Sequence, residues 1–297
     1  MVALSPERQR SGLGGFVARR PMLVFFVLAF GLSWAAWVPY VLSDQGMGLV
    51  HFRFPELFGS PQLLSLLPGA YLGPIAAAFA VTAIADGRAG LRRWAGRLFR
   101  WRVSWVWYAV VLLGVPLLLS LVSLPFSGWE VRMPPAWVFA AYVPALVLQL
   151  LTTGLAEEPG WRDFALPRMQ PRFGPMLGTL LLGVMWGAWH LPLFLTEWGG
   201  YPNVRWTQPF EFVLAAVVFS FVMTWVFNRT GESLPLAMLL HVGVNNFFSV
   251  AWLEMFPGVD PHGDSTHIQL IAWSAVGLVL IVATRGRLGY RRAQERG

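Results

Sequence analysis

The chain has 297 residues, of which 56% are hydrophobic and 12% charged, about half the ~25% charged fraction of a soluble globular protein. That excludes a soluble domain, which needs a charged coat that this chain cannot supply. Its net charge of +7 rests on 22 arginines, with no lysine, and they gather between apolar runs as topology determinants do, so no nucleic-acid partner is expected. No cysteine is present, which removes disulfides, thiolate-bound zinc and thiol nucleophiles. The 16 tryptophans and 22 phenylalanines suit a bilayer, where aromatic rings sit at the interfaces and between helices. The exclusive use of arginine, with its GC-rich codons, reads as a bacterial genome.

Eight apolar runs follow in chain order, at about 21–43, 61–85, 103–125, 136–157, 174–196, 209–228, 233–256 and 267–284. Each is close to the ~20 residues that cross a hydrocarbon core of ~30 Å. They predict an all-α, polytopic transmembrane bundle of about eight helices. The first run is too long for a cleaved signal peptide and reads as a signal anchor. The stretch Arg88 to Arg102 is basic and aromatic. It is expected to lie along the inner membrane face, chiefly as a topology-setting loop. Runs six and seven are separated only by Asn228 to Glu232, which predicts a tight helical hairpin.

With the N-terminus placed inside, 19 of the 22 arginines fall in inner segments, and only Arg53, Arg132 and Arg205 fall outside. The positive-inside rule therefore predicts a multi-pass protein of the cytoplasmic membrane with both termini cytoplasmic. No internal repeat or linker is seen. Residues 1–297 read as one membrane domain with basic tails at 1–20 and 285–297.

Ionisable side chains at membrane depth are expensive, so their placement is informative. They cluster in three runs. Run four ends in Glu157 and Glu158, followed by Arg162; run five holds His190; run seven holds His241, Asn245 and Asn246. In an apolar bundle they have few partners except one another, which predicts one shared, buried polar site. Glu158 and Arg162 are four apart and share a helix face. Glu157 is turned about 100° away. His241 and Asn245 share a face, with Asn246 rotated off it. Pro159 and Gly160 predict a bend beside Glu157. The Gly183 and Gly187 pair reads as helix packing. The aspartates and His262 of the last outer loop read as solvated.

The depths impose a condition. At 1.5 Å per residue, His190 lies about 24 Å into run five and His241 about 12 Å into run seven, whereas Glu157 sits at the inner end of run four. They meet only if the helix continues past Glu158 and run five starts well inside; both are expected.

Glu-Glu-x-x-x-Arg at 157–162, an aromatic-x-x-x-His at Trp186 and His190, and His-x-x-x-Asn at His241 and Asn245 together resemble the CPBP family of intramembrane proteases, which includes the CAAX-protease-like enzymes. Tryptophan at 186 departs from the family's usual phenylalanine. The resemblance covers about 136–250 and implies a catalytic core there. It implies an intramembrane endopeptidase in which Glu157 activates water held by His190, and His241 and Asn245 donate to the oxyanion. Glu158, Arg162 and Trp186 would stand behind them. The same Glu157, His190 and His241 suit an alternative in which they ligate Zn²⁺, although no His-Glu-x-x-His helix is present. The implied partners are a membrane-associated peptide or protein substrate and the lipid bilayer. Two readings of other kinds stay open: a non-catalytic immunity or scaffold protein, and a proton-coupled carrier.

Overall fold

Each apolar run of the sequence is helical in the computed structural model, which describes residues 12–58 and 60–291. Of the expected basic tails, 12–20 and 285–291 fall within that range, whereas Arg8, Arg10, Arg292 and Arg296 lie outside the described residues. Among the described residues there is no strand, only one isolated bridge between Leu57 and Ser60. The protein is a multi-pass helical membrane bundle.

A short α1 (Gly12–Arg19) leads into α2 (Pro21–Leu42). Then come α3 (Leu67–Ala85), α4 (Gly87–Arg97) and α5 (Trp105–Ser123). After the long stretch Ala136–Leu195 the chain ends in α8 (Gln208–Arg229), α9 (Leu234–Met255) and α10 (Gly263–Ala283). Among the described residues, seven continuous helical stretches are long and apolar enough to cross a membrane, against the eight runs expected. The difference lies in Ala136–Leu195, whose 60 residues hold runs four and five. At 1.5 Å per residue it would reach ~90 Å, three times the hydrocarbon thickness. It does not run straight. Gly174 has φ 76° and ψ 165°, a conformation that needs glycine. The chain doubles back there. A Cβ on Gly178 would lie 3.2 Å from the backbone of Met169, and Trp186 hydrogen-bonds Glu157. Two limbs result, α6 (136–173) and α7 (175–189), and they restore the eight.

The chain from 158 to 173, which is polar by sequence, is thus helix rather than loop. The bend expected at Pro159 is a change of winding. α6 is α-helical over Leu155–Glu158 and π-helical over Leu150–Gly154 and Pro159–Ala165. Proline cannot donate to the ladder and its ring crowds the preceding turn; the wider π winding accommodates it without ending the helix. Such π segments are common at functional sites.

Packing follows from small residues at the crossings. A Cβ on Gly183 would come within 2.7 Å of Val217 Cα, and one on Gly187 within 2.8 Å of Val213 Cα, so α7 lies backbone to backbone on α8. Gly160 meets the Pro74 backbone at 2.7 Å in the same way, seating α6 on α3. Ser33 Oγ and Trp37 Nε1 of α2 donate to the carbonyls of Gly69 and Leu66 at 2.7 and 2.9 Å. The most enclosed helix is α9, with 72% of its apolar window buried against 22% for α2, which makes it the centre of the bundle. On the outside, Leu113, Leu117 and Leu121 of α5 and Leu278, Val279 and Val282 of α10 are exposed. These are surfaces that lipid tails, not water, would cover.

Candidate active site

The foldback at Gly174 and the enclosure of α9 bring the polar residues of three helices to one place. Trp186 stands at its middle. Its indole Nε1 donates to Glu157 Oε2 at 2.8 Å. Its ring centroid lies 5.1 Å from that of His241 and 6.1 Å from that of His190. The Arg162 guanidinium lies over its ring at 4.7 Å, a cation–π contact. Residues 29 positions apart thus meet because the hairpin places α7 against α6.

Glu158 is fully buried. It accepts from His241 Nδ1 at 2.8 Å through one oxygen and faces Arg162 Nε at 3.4 Å through the other. The i,i+4 pairing expected of Glu158 and Arg162 is therefore present, and His241 joins it. Arg162 Nη2 also donates to Ser220 Oγ of α8 at 3.3 Å. The two carboxylates point apart. Glu157 is held by Trp186, and Glu158 is held between a cation and an imidazole.

Both histidines are oriented by their Nδ1. His190 Nδ1 lies 2.9 Å from the Trp186 carbonyl, which can only accept, so Nδ1 carries the proton and Nε2 keeps its lone pair. Its ring stacks on Trp198 at 5.7 Å and 13°, with Phe212 edge-on at 5.0 Å. His241 Nδ1 is engaged by Glu158, which leaves Nε2 beside Asn245 Nδ2 at 3.5 Å. Asn246 faces elsewhere: it donates to the Tyr142 carbonyl at 3.0 Å and accepts from Gln149 at 3.3 Å. One asparagine thus belongs to the polar cluster, and its neighbour ties α9 to α6.

Glu157, Glu158, Arg162, Trp186, His190, His241 and Asn245 form a single chain of contacts. Ser220, Trp198 and Phe212 were not anticipated. Ser220 is a hydroxyl in the apolar interior of α8, which was a readable signal; the two aromatics carried none. Glu157, His190 and His241 are a sound donor set for zinc by chemistry, one carboxylate and two imidazoles each oriented through Nδ1. In this geometry they do not converge: among the described residues no three His, Asp or Glu side chains lie close enough to share a metal ion.

Residues 136–247 match the model of a family described as type II CAAX prenyl endopeptidase Rce1-like. Every residue of the cluster just described lies inside that segment. A protein of Methanococcus maripaludis named CAAX prenyl protease 2 is 26% identical over 219 residues, covering 70% of this chain and 79% of that one.

Proposed function

We propose that the chain is an intramembrane protease of the CPBP family, a reading that the family match and the relative support, and that Glu157 and His190 activate the water with which it hydrolyses a membrane-tethered peptide. The observation that carries this reading is the indole of Trp186, which gathers a carboxylate, two imidazoles and a guanidinium around one ring.

Glu157 has one oxygen fixed by Trp186 and the other available to take a proton from water. His190 accepts from the same water through Nε2, since its Nδ1–H is committed to the Trp186 carbonyl. The water oxygen bonds to the scissile carbonyl carbon as Glu157 takes its proton. His241 and Asn245 donate to the oxyanion that forms. Glu158 supports that role by holding the His241 ring through Nδ1, which turns Nε2 toward Asn245. The C–N bond then breaks, and Glu157 passes its proton to the leaving amine. Were zinc bound, Glu157, His190 and His241 would be its donors and it would supply a Lewis acid.

The substrate is a membrane-associated peptide or protein, with prenylated C-terminal peptides as the first class to try, after the name of the archaeal relative. The site lies within residues 136–250, the catalytic core of one membrane domain. The arginine distribution supports a cytoplasmic-membrane location with both termini inside.

The test is cleavage of a library of membrane-tethered peptides by purified protein, comparing wild type with Glu157→Ala and His190→Ala, with and without chelator. Loss of 10²-fold or more in both variants is expected, the scale of general-base catalysis, with activity retained in chelator. Variants that cleave like wild type would sink the assignment. Loss in chelator with recovery on Zn²⁺ would move Glu157 and the histidines into a metal shell.

A further inference from the structure

The basic segment between α3 and α5 reads from sequence as a topology-setting loop, yet its side chains are tied to the motif helix. Arg97, at the end of α4, donates through Nη1 to Asp163 Oδ1 at 2.6 Å and through Nε to Glu232 Oε2 at 2.8 Å. Trp94 Nε1, one turn earlier, donates to the Pro159 carbonyl at 3.0 Å. Just beyond α4, Arg100 Nη1 donates to the Gly231 carbonyl at 2.6 Å, and the Arg100 carbonyl accepts from Ser233 Oγ at 2.7 Å. This strap therefore grips two elements: the π-helical turn Pro159–Ala165, and the turn between α8 and α9.

Those two elements meet Glu158 at different carboxylate oxygens. The π-helical turn carries Arg162; α9, which starts at the gripped turn, carries His241. Arg162 and Asp163 are neighbours on that turn whose side chains meet different partners, Glu158 and Arg97. One is aimed inward at Glu158 and the other outward at the strap. Fixing Asp163 fixes the rotation of the turn, and with it the direction of Arg162. Asp163 has a side chain only 1% exposed, and Arg97 is the cation that meets it. Removing that cation leaves a buried carboxylate uncompensated, a state costly enough to drive local rearrangement.

We infer that Arg97 is a positioning residue for the active site: through Asp163 and Glu232 it holds the π-helical turn and the start of α9 in the register that keeps Arg162 and His241 on Glu158. The inference rests on the catalytic reading of Glu157 and its neighbours, although Arg97 itself touches no reacting atom.

The test uses the full chain in lipid nanodiscs with Arg97→Gln, Arg97→Lys, the double variant Arg97→Gln/Asp163→Asn, and Glu157→Gln as reference. Two quantities are read: steady-state cleavage, and amide hydrogen exchange of 159–165. Arg97→Gln is expected to lower kcat tenfold or more with KM within twofold, and to speed exchange in 159–165 while α10 stays protected. Arg97→Lys should recover part of kcat. The double variant, which no longer buries a charge, should recover part of the protection. An Arg97→Gln enzyme with wild-type kcat overturns the inference, as does exchange that rises equally in every helix, which marks general destabilisation. Glu157→Gln separates the two readings. If it is inactive while Arg97→Gln is unimpaired, only this inference fails; if it cleaves at the wild-type rate, the catalytic assignment fails and this inference with it.

Discussion

The buried triad of His241, Glu158 and Arg162 makes a quantitative prediction that needs no substrate. Glu158 and Arg162 both have fully buried side chains, with 3.4 Å between Nε and Oε2. At an effective dielectric constant of 20 the Coulomb attraction at that distance is ~5 kcal/mol, against a desolvation cost of several kcal/mol for each ion. The pair is thus near break-even as a pair and costly when halved. Glu158→Gln keeps an oxygen for His241 Nδ1–H but strands the guanidinium. Arg162→Met strands the carboxylate. Each is expected to cost about 3–5 kcal/mol, the scale for breaking a buried pair. The double variant replaces both charges and should cost less than either single change. The assay is a double-mutant cycle on unfolding midpoints in a fixed detergent, with hydrogen exchange to show that each variant is folded beforehand. Single changes that add in the double variant would refute the coupling, since independent sites add and contacting ones do not.

Three further outcomes follow from other parts of the bundle. Trp186→Phe removes the donor to Glu157 Oε2 and leaves the ring; hydrogen bonds to charged groups are worth ~1.5–3 kcal/mol, so kcat in the peptide assay should fall about tenfold or more, and an unchanged kcat would show that the indole N–H does not hold the base. Gly183→Val places branched carbons where even a Cβ is 2.7 Å from Val217 Cα, so thermal stability should drop by the ~1–3 kcal/mol of an overpacked core or more, whereas Gly31→Ala, with nothing within 4 Å, should be neutral or better. Because the chain has no cysteine, single cysteines report topology directly: Asn203→Cys should react with an impermeant maleimide in intact cells and Ala95→Cys only after permeabilisation, and the reverse pattern would invert the proposed orientation.

The helices were legible because a bilayer imposes a length, and the eight runs met it. The three motifs were legible because charge at membrane depth is rare enough that Glu157, His190 and His241 had few partners but one another. The stretch from 158 to 173 was harder. Its arginines, aspartate and prolines look like a loop, and only the depths of His190 and His241 argued for helix. It is helix because those polar groups are paired internally: Arg162 with Glu158, Asp163 with Arg97, Arg168 with Asp86, and Gln170 with Asn228. Three of those four partners are distant in sequence, so no local pattern announces them. The same holds for the two adjacent asparagines. Their spacing showed that Asn245 and not Asn246 shares a face with His241, but the tie of Asn246 to Tyr142 depends on where α6 runs.

The polar cluster is not there for stability. Among the described residues Glu157 and Glu158 share one arginine between them, and Arg162 Nε and Nη1 and Glu158 Oε2 are buried with no hydrogen-bond partner there. A partly satisfied network in a low-dielectric interior costs more than an apolar core of the same shape. Around it the bundle is otherwise packed with tryptophan and phenylalanine: Trp37, Trp161, Trp189 and Phe164 are all fully or almost fully buried. Leucine or methionine at 157, 158 and 162 would complete that packing at lower cost. A sequence that instead keeps two carboxylates, a guanidinium and two oriented imidazoles on three helices accepts a less stable bundle in return for groups that can move a proton and meet a developing charge. That exchange is what a site that moves protons requires, and it supports the proposed protease over a membrane scaffold.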